Sequence, residues 1–375
     1  MNIGTIALKN DEKAIFALRS FYRRYGDSQY KMNKFEEYDL YVRNKDFLIS
    51  DGILTFTDTN GKLMALKPDV TLSIIKNSKD LTDSVQNVYY NENVYRVSKG
   101  THSFKEIMQV GLECLGAVDD YCIYEVLMLA AESLKSISAD CVLDISHLGI
   151  ISAVIDGLGL SAEDKNAVLK CISEKNIHEI AAICSRAQAD PVLTEKLRQL
   201  VSTYGAPREV LPRIRELMGD LLPAEGMDQL QTLVDLLGHA GYQEMLRIDF
   251  SVIDNMNYYN GIVFKGFVNG VPSGILSGGQ YDKLMKKMGH KASAIGFAVY
   301  LDLLERMTGS ENRFDVDNVI LYDETSDLQV LNDTIKLLMA NGNSVMAQKS
   351  VPEKLKYKQL LRLQERGVEI IETHA

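Results

Sequence analysis

The sequence predicts an α+β protein: an antiparallel sheet flanked by helices, interrupted by an all-helical insertion and followed by a small C-terminal α/β unit. Three observations carry this. Strand-like runs lie on both sides of the middle third and are joined by hairpin signals, Asn60-Gly61 and Asn269-Gly270, which favour antiparallel pairing. Between them nearly every apolar residue recurs at helical spacing. Near the end, short strands alternate with helical stretches. The expected divisions are a core, first part (residues 1–160), the insertion (161–240), the core, second part (241–310), and the small unit (311–375).

Taken in order, Ala14, Ile15, Leu18 and Phe21 share one side of a helix from Asn10 to about Tyr25. ILTFTDT and KLMALK flank Asn60-Gly61, whose type I′ turn would need positive φ at both central residues. Pro68 closes that strand, and a helix starts near Val70. The stretch VYRVSKGTHSFKEIMQVGLECLG (94–116) makes a second hairpin with Lys99 to Ser103 as its loop. Residues 119–137 read as an apolar helix and CVLDIS as a buried strand. GLGLSAEDK lacks the preceding strand of a dinucleotide motif, so it reads as a helix end followed by a new N-cap at Ser161. Strands resume in MLRIDFSVI, YNGIVFKGFV and VPSGILSGGQYDKL, a helix is expected in AIGFAVYLDLLERM, and the last unit reads β-α-β-α-β, with EKLKYKQLLRLQERG as its second helix.

With 375 residues, 46% hydrophobic and 25% charged, the chain has material for a large core. A net charge of −10 argues against embracing nucleic acid as a main task and favours small-molecule or protein partners. Cys114, Cys122, Cys141, Cys171 and Cys184 form no CxxC pair, so neither a metal site nor a disulfide framework is indicated, and reduced thiols in the cytoplasm are expected. No run approaches the roughly 18 apolar residues of a membrane span, and no targeting segment is visible.

The second half of the 94–116 stretch raises the question of function. Val110, Leu112 and Cys114 face one way, which leaves Gln109, Gly111 and Glu113 in a row on the other face. Alone, that is the ordinary polar face of an antiparallel strand. Other stretches offer similar groups: Asp69 and Thr71 in LKPDVT, the adjacent Tyr258 and Tyr259 before a glycine, and Gly278-Gly279 at a strand end. On a strand one of the two tyrosines would face away. A concave sheet lined by these groups suits a ligand with an ammonium group and a ring carrying hydrogen-bond donors.

FTDTNGKLMALKPDVT, the 94–116 stretch, NMNYYNGIVF, and SGGQYDKL followed by AIGFAVYLDLL stand in an order and spacing that resembles the class II histidyl-tRNA synthetase core over roughly residues 10–310. The chain is most similar to a non-catalytic branch of that family, the regulatory subunits of ATP phosphoribosyltransferase. The resemblance implies a class II aminoacyl-tRNA synthetase-like sheet, with a shortened form of the anticodon-binding domain at the C-terminus. It also implies a histidine site: Asp69, Thr71 and Gln109 toward the α-amino group, Glu113 and Tyr259 toward the imidazole, and Arg96 toward the carboxylate, with Tyr258 in the same site.

Departures from the family bear on the nucleotide side. The second class motif keeps Arg96 but has Ser98 in place of its carboxylate, Asp302 and Leu303 stand where a Glu-Arg pair belongs, and Asp254 replaces an arginine before the tyrosine pair. Adenylation relies on fixed cations, and losing one such group commonly costs about two to three decades in rate. The resemblance therefore implies a catalytically silent subunit with no cofactor. It would form a homodimer within a hetero-oligomer, assembled with the short-form catalytic subunit of ATP phosphoribosyltransferase and responsive to L-histidine, with no role for tRNA. Two other readings stay open, a divergent histidyl-tRNA synthetase and a histidine-sensing regulator of another protein. His102 reads as an exposed loop residue, and Lys99 and Lys105 as loop-solvating charges.

Overall fold

In the computed structural model, which describes residues 10–48, 52–97, 103–253, 256, 258–307, 314–364 and 367–374, helix α1 (Asn10–Arg24) buries Ala14, Ile15, Leu18 and Tyr22, with Phe21 packed beside them. Strand β1 (Ser28–Gln29), β2 (Phe35–Glu37) and helix α2 (Tyr38–Arg43) follow. The hairpin of β3 (Thr55–Thr57) and β4 (Leu63–Leu66) forms around Asn60-Gly61, but its turn differs from type I′. Only Gly61 of the pair has positive φ, 80°. The Asp58 carboxylate accepts from the N–H groups of Asn60 and Lys62, both at 2.8 Å, and the Gly61 N–H donates to the Asp58 carbonyl at 3.1 Å. An aspartate-led turn ending in a left-handed glycine satisfies these groups and spares Asn60 the unfavourable conformation.

Helix α3 (Thr71–Asn77) starts just after Pro68. Strands β5 (Val85–Val97) and β6 (Phe104–Gly116) pair antiparallel along their whole length. The loop residues Lys99 and His102 lie outside the described residues, as do Ser98 and Asp254, and Lys105 is exposed. Helix α4 (Asp120–Ile137), β7 (Cys141–His147) and α5 (Leu148–Gly157) come next. Gly159, at φ 62°, ends that helical segment, and the Ser161 hydroxyl accepts the Asp164 N–H at 3.1 Å to cap the next helix. Ser161→Ala is expected to cost about 1 kcal/mol, read as a lower urea midpoint at unchanged slope.

The insertion holds α6 (Ala162–Ser173), α7 (Ile177–Arg186), α8 (Pro191–Ser202), α9 (Pro207–Met218) and α10 (Ala224–His239). It is not wholly helical: β8 (Tyr204–Gly205) pairs with β9 (Leu246–Asp249). Then come β10 (Ile262–Val268), β11 (Leu276–Gln280), α11 (Asp282–Lys287) and β12 (Ser293–Tyr300). The main sheet runs β1-β5-β6-β12-β11-β10-β7-β9-β8, antiparallel except for the β1·β5 and β7·β9 pairs. The helix expected in AIGFAVYLDLLERM is instead β12 followed by 3-10 turns at Leu301–Met307. Ile295, Phe297 and Val299 enter the core while Gly296, Ala298 and Tyr300 face the other way, a period of two that an interior glycine and these side-chain types favour over a helix. One core, with α1, α4 and the insertion, covers one face of the sheet. A second, with Tyr41, Leu72, Ile75 and Leu284, covers part of the other. Among the described residues no helix is long and apolar enough to cross a membrane.

Contacts divide the chain into two units, Met1–Met307 and Thr308–Ala375. The second contains β13 (Val316–Leu321), α12 (Leu328–Ala340), β14 (Val345–Gln348), β15 (Tyr357–Gln364) and β16 (Gly367–Thr373), in the order β14-β13-β15-β16. The expected second helix is replaced by β15. Leu360 packs with Val316 and Val319 on one face and Leu361 with Ile320 and Leu331 on the other. Pairing with β13 uses both leucines and overrides the helix propensity of the surrounding Lys, Gln and Arg.

Candidate functional site

Strands β5, β6, β12 and β11 lie side by side, and their register sets residues in rungs across the sheet. Val88, Glu113, Gly296 and Gly279 form one rung; Tyr90, Gly111, Ala298 and Ser277 form the next; Glu92, Gln109 and Tyr300 the one after. Large polar side chains lean over neighbouring glycines. A Cβ on Gly296 would lie 1.7 Å from Glu113 Oε2, one on Gly111 2.3 Å from the Tyr90 hydroxyl, and one on Gly279 2.8 Å from Tyr259 Cδ1. Glycine is required here by space rather than by backbone angle.

The trough so formed is a cavity of about 500 Å³, within the usual range for small-molecule sites. All seven residues expected at the site line it: Asp69, Thr71, Arg96, Gln109, Glu113, Tyr258 and Tyr259. Leu48, Tyr90, Ser277, Tyr281, Gly296, Phe297, Ala298 and Tyr300 complete the lining. Sequence reasoning missed these, although signals for some were present. The β11 alternation runs on from Ser277 and Gly279 to Tyr281, and Tyr90 lies on the same face of β5 as Arg96.

Glu113 is the best-fixed group. It is 2% exposed, Thr71 Oγ1 donates to its Oε1 at 2.8 Å, and the Tyr281 hydroxyl donates to its Oε2 at 2.7 Å. Burial outweighs these two donors, and the neighbouring Asp69 charge adds to it, so the carboxyl is pushed up to about 8.

Asp69 and Thr71 reach the cavity by a route other than strand alternation. Asp69 precedes α3 and its carboxylate accepts the Leu72 N–H at 2.9 Å, while Thr71 is the first helical residue. Burial raises the Asp69 carboxyl, partly offset by that N–H and by nearby Arg96. The segment is tied to β5 at three points: Arg96 Nε donates to the Pro68 carbonyl at 3.0 Å, the Tyr95 N–H to the Lys67 carbonyl at 2.9 Å, and Lys67, 1% exposed, is ion-paired with Glu92. Tyr258 and Tyr259 also lie outside a strand, so neither is forced to face away. Their rings meet at 4.6 Å and 68°, and Tyr258 sits between Phe47 and Tyr281, at 6.4 and 5.7 Å.

Gln109, 3% exposed, presents its amide to this space. The combination of carboxyl groups, an amide and phenols suits a ligand carrying an ammonium group and a nitrogen ring. Leu303 packs against the core.

A family model described as histidyl-tRNA synthetase matches residues 7–304. An ATP phosphoribosyltransferase regulatory subunit from Oceanobacillus iheyensis is 27% identical over 338 residues, 88% of this chain and 83% of that one. Among solved structures, an ATP phosphoribosyltransferase regulatory subunit/histidyl-tRNA synthetase from Bacillus halodurans superposes with a TM-score of 0.70 at 23% identity, covering 90% of this chain and 88% of the other. A chain of the ATP phosphoribosyl transferase complex from Thermotoga maritima gives 0.61 at 19% identity, covering 78% and 97%.

Proposed function

Because the chain belongs to the histidyl-tRNA synthetase family, we propose that it is the regulatory subunit of an ATP phosphoribosyltransferase, which joins ATP and phosphoribosyl pyrophosphate, and that it binds L-histidine as the feedback signal. The observation that carries the ligand assignment is Glu113, buried at the cavity floor between Thr71 and Tyr281. An imidazole nitrogen meets its acid proton, Asp69 and Gln109 receive the ammonium group, and Arg96 faces the carboxylate. The name shared by curated relatives supports the assembly with a catalytic partner.

Catalytic silence is supported by the nucleotide side. The Asp302-Leu303 pair supplies no cation, and the second motif lacks its carboxylate at Ser98. The chain works as a homodimer inside a hetero-oligomer, in a cytoplasmic setting that fits its free thiols. Histidine inhibits by binding one state of the assembly better than another, since equal affinity would shift nothing. Calorimetric titration with histidine, ATP, and histamine and arginine as controls tests this, together with histidine-dependent pyrophosphate exchange. Histidine binding without ATP binding or exchange is the expected result. Exchange above background would instead make the protein a divergent synthetase.

A further inference from the structure

The floor of the cavity is not level. Along β12 its side chains grow rung by rung, from Gly296 beside Glu113, to Ala298 beside Gly111, to Tyr300 beside Gln109. The Tyr300 rung, unlike the two before it, has no glycine in β5, β6 or β12, because Glu92, Gln109 and Tyr300 stand side by side there. The Tyr300 hydroxyl is hydrogen-bonded to Ser277 Oγ at 3.0 Å, which fixes the phenol across the trough. Gln109 lies four residues from Glu113 on one strand, about 13 Å along it.

We propose that Tyr300, held by Ser277, is a specificity-determining wall that closes the β11–β12 side of the cavity at the ligand's carboxylate end. It admits a free amino acid and rejects derivatives lengthened at the carboxyl, such as substituted amides, esters and acyl phosphates. The proposal rests on the histidine reading, since it takes Glu113 as the ring end and Arg96 as the carboxylate end. A bulky carboxyl substituent directed over β12 would have to occupy the volume the phenol fills, and the hydrogen bond to Ser277 opposes the swing that would vacate it.

The test compares L-histidine, L-histidinamide and L-histidine benzylamide by calorimetry on wild type, Tyr300→Gly, Tyr300→Ala and Tyr300→Phe. The two amides lack the carboxylate charge equally, so their ratio reports size alone. Wild type is expected to bind the benzylamide about tenfold or more weaker than histidinamide, as for ligand crowding against a fixed side chain. Tyr300→Gly and Tyr300→Ala should each gain at least about tenfold in affinity for the benzylamide relative to histidinamide. Tyr300→Phe keeps the ring but loses the bond to Ser277, so its discrimination should fall between those of wild type and Tyr300→Ala. The alanine variant guards against a folding defect in the glycine one. Equal binding of the two amides by wild type, or no gain in either small variant, overturns the wall. Absence of histidine binding by the folded wild type overturns the histidine reading itself, and the wall with it.

Discussion

Glu113→Ala should lower histidine affinity by at least about 30-fold, because removing one partner of a buried hydrogen-bonded pair costs roughly 2–5 kcal/mol. Histidine inhibition of the assembled enzyme should be lost while assembly survives; unchanged inhibition would sink the pocket assignment. The same residue sets a pH profile. Below about 8 the empty site holds a proton on Glu113. Free imidazole loses its proton above about 6.5. The complex needs one proton between the two groups, so between these values binding exchanges none and affinity is flat. At lower pH both partners carry a proton and one must leave; at higher pH neither does and one must be taken up. Affinity should fall about tenfold per pH unit on each side. Net proton uptake near pH 7.2, measured by calorimetry in buffers of different ionisation enthalpy, would show Glu113 already ionised and contradict this account.

The second large effect is expected at a residue with no side chain. An alanine Cβ at position 296 would lie 1.7 Å from Glu113 Oε2 and 2.6 Å from the Leu112 carbonyl. The carboxylate can move aside, at the expense of its bonds from Thr71 and Tyr281; the sheet backbone cannot. Gly296→Ala should therefore weaken histidine binding by about tenfold or more and cost about 1–3 kcal/mol in urea unfolding. Gly238→Ala is the control. A Cβ there meets nothing within 4 Å on an α10 surface, so binding should be unchanged. If the two variants bind histidine alike, the glycine is not shaping the site.

The stripe Gln109, Gly111 and Glu113 could be seen in the sequence because its opposite face, Val110, Leu112 and Cys114, is uniformly apolar and a strand has only two faces. What the sequence lacked was the neighbouring strand. Gly296 makes room for Glu113 only through the β6·β12 register, a pairing between residues far apart in the chain that no local pattern encodes. The helix expected over residues 294–307 follows from that gap, and hides Tyr300. Asp69 and Thr71 line the same cavity without sharing a strand face, since proximity across a helix start mimics the i, i+2 spacing of a strand. At 357–364 local propensity pointed to a helix, and the exposed edge of β13 outweighed it.

The two-residue strand β8 alters what the insertion is to the rest of the molecule. Tyr204 and Gly205 join the edge of β9, which itself lies parallel to β7, and the apolar interior runs unbroken from Val168, Ile180 and Leu197 into Leu143, Ile145 and Ile248. Ile145 and Ile248 can meet only after the long intervening chain has collapsed, so the entropy of closing that loop is offset by the helices' own packing. The helices are thus a keystone for one end of the sheet. Cutting them out would strip β9 of its outer partner β8 and β7 of part of its cover, and the sheet would lose support at its far side along with its ornament.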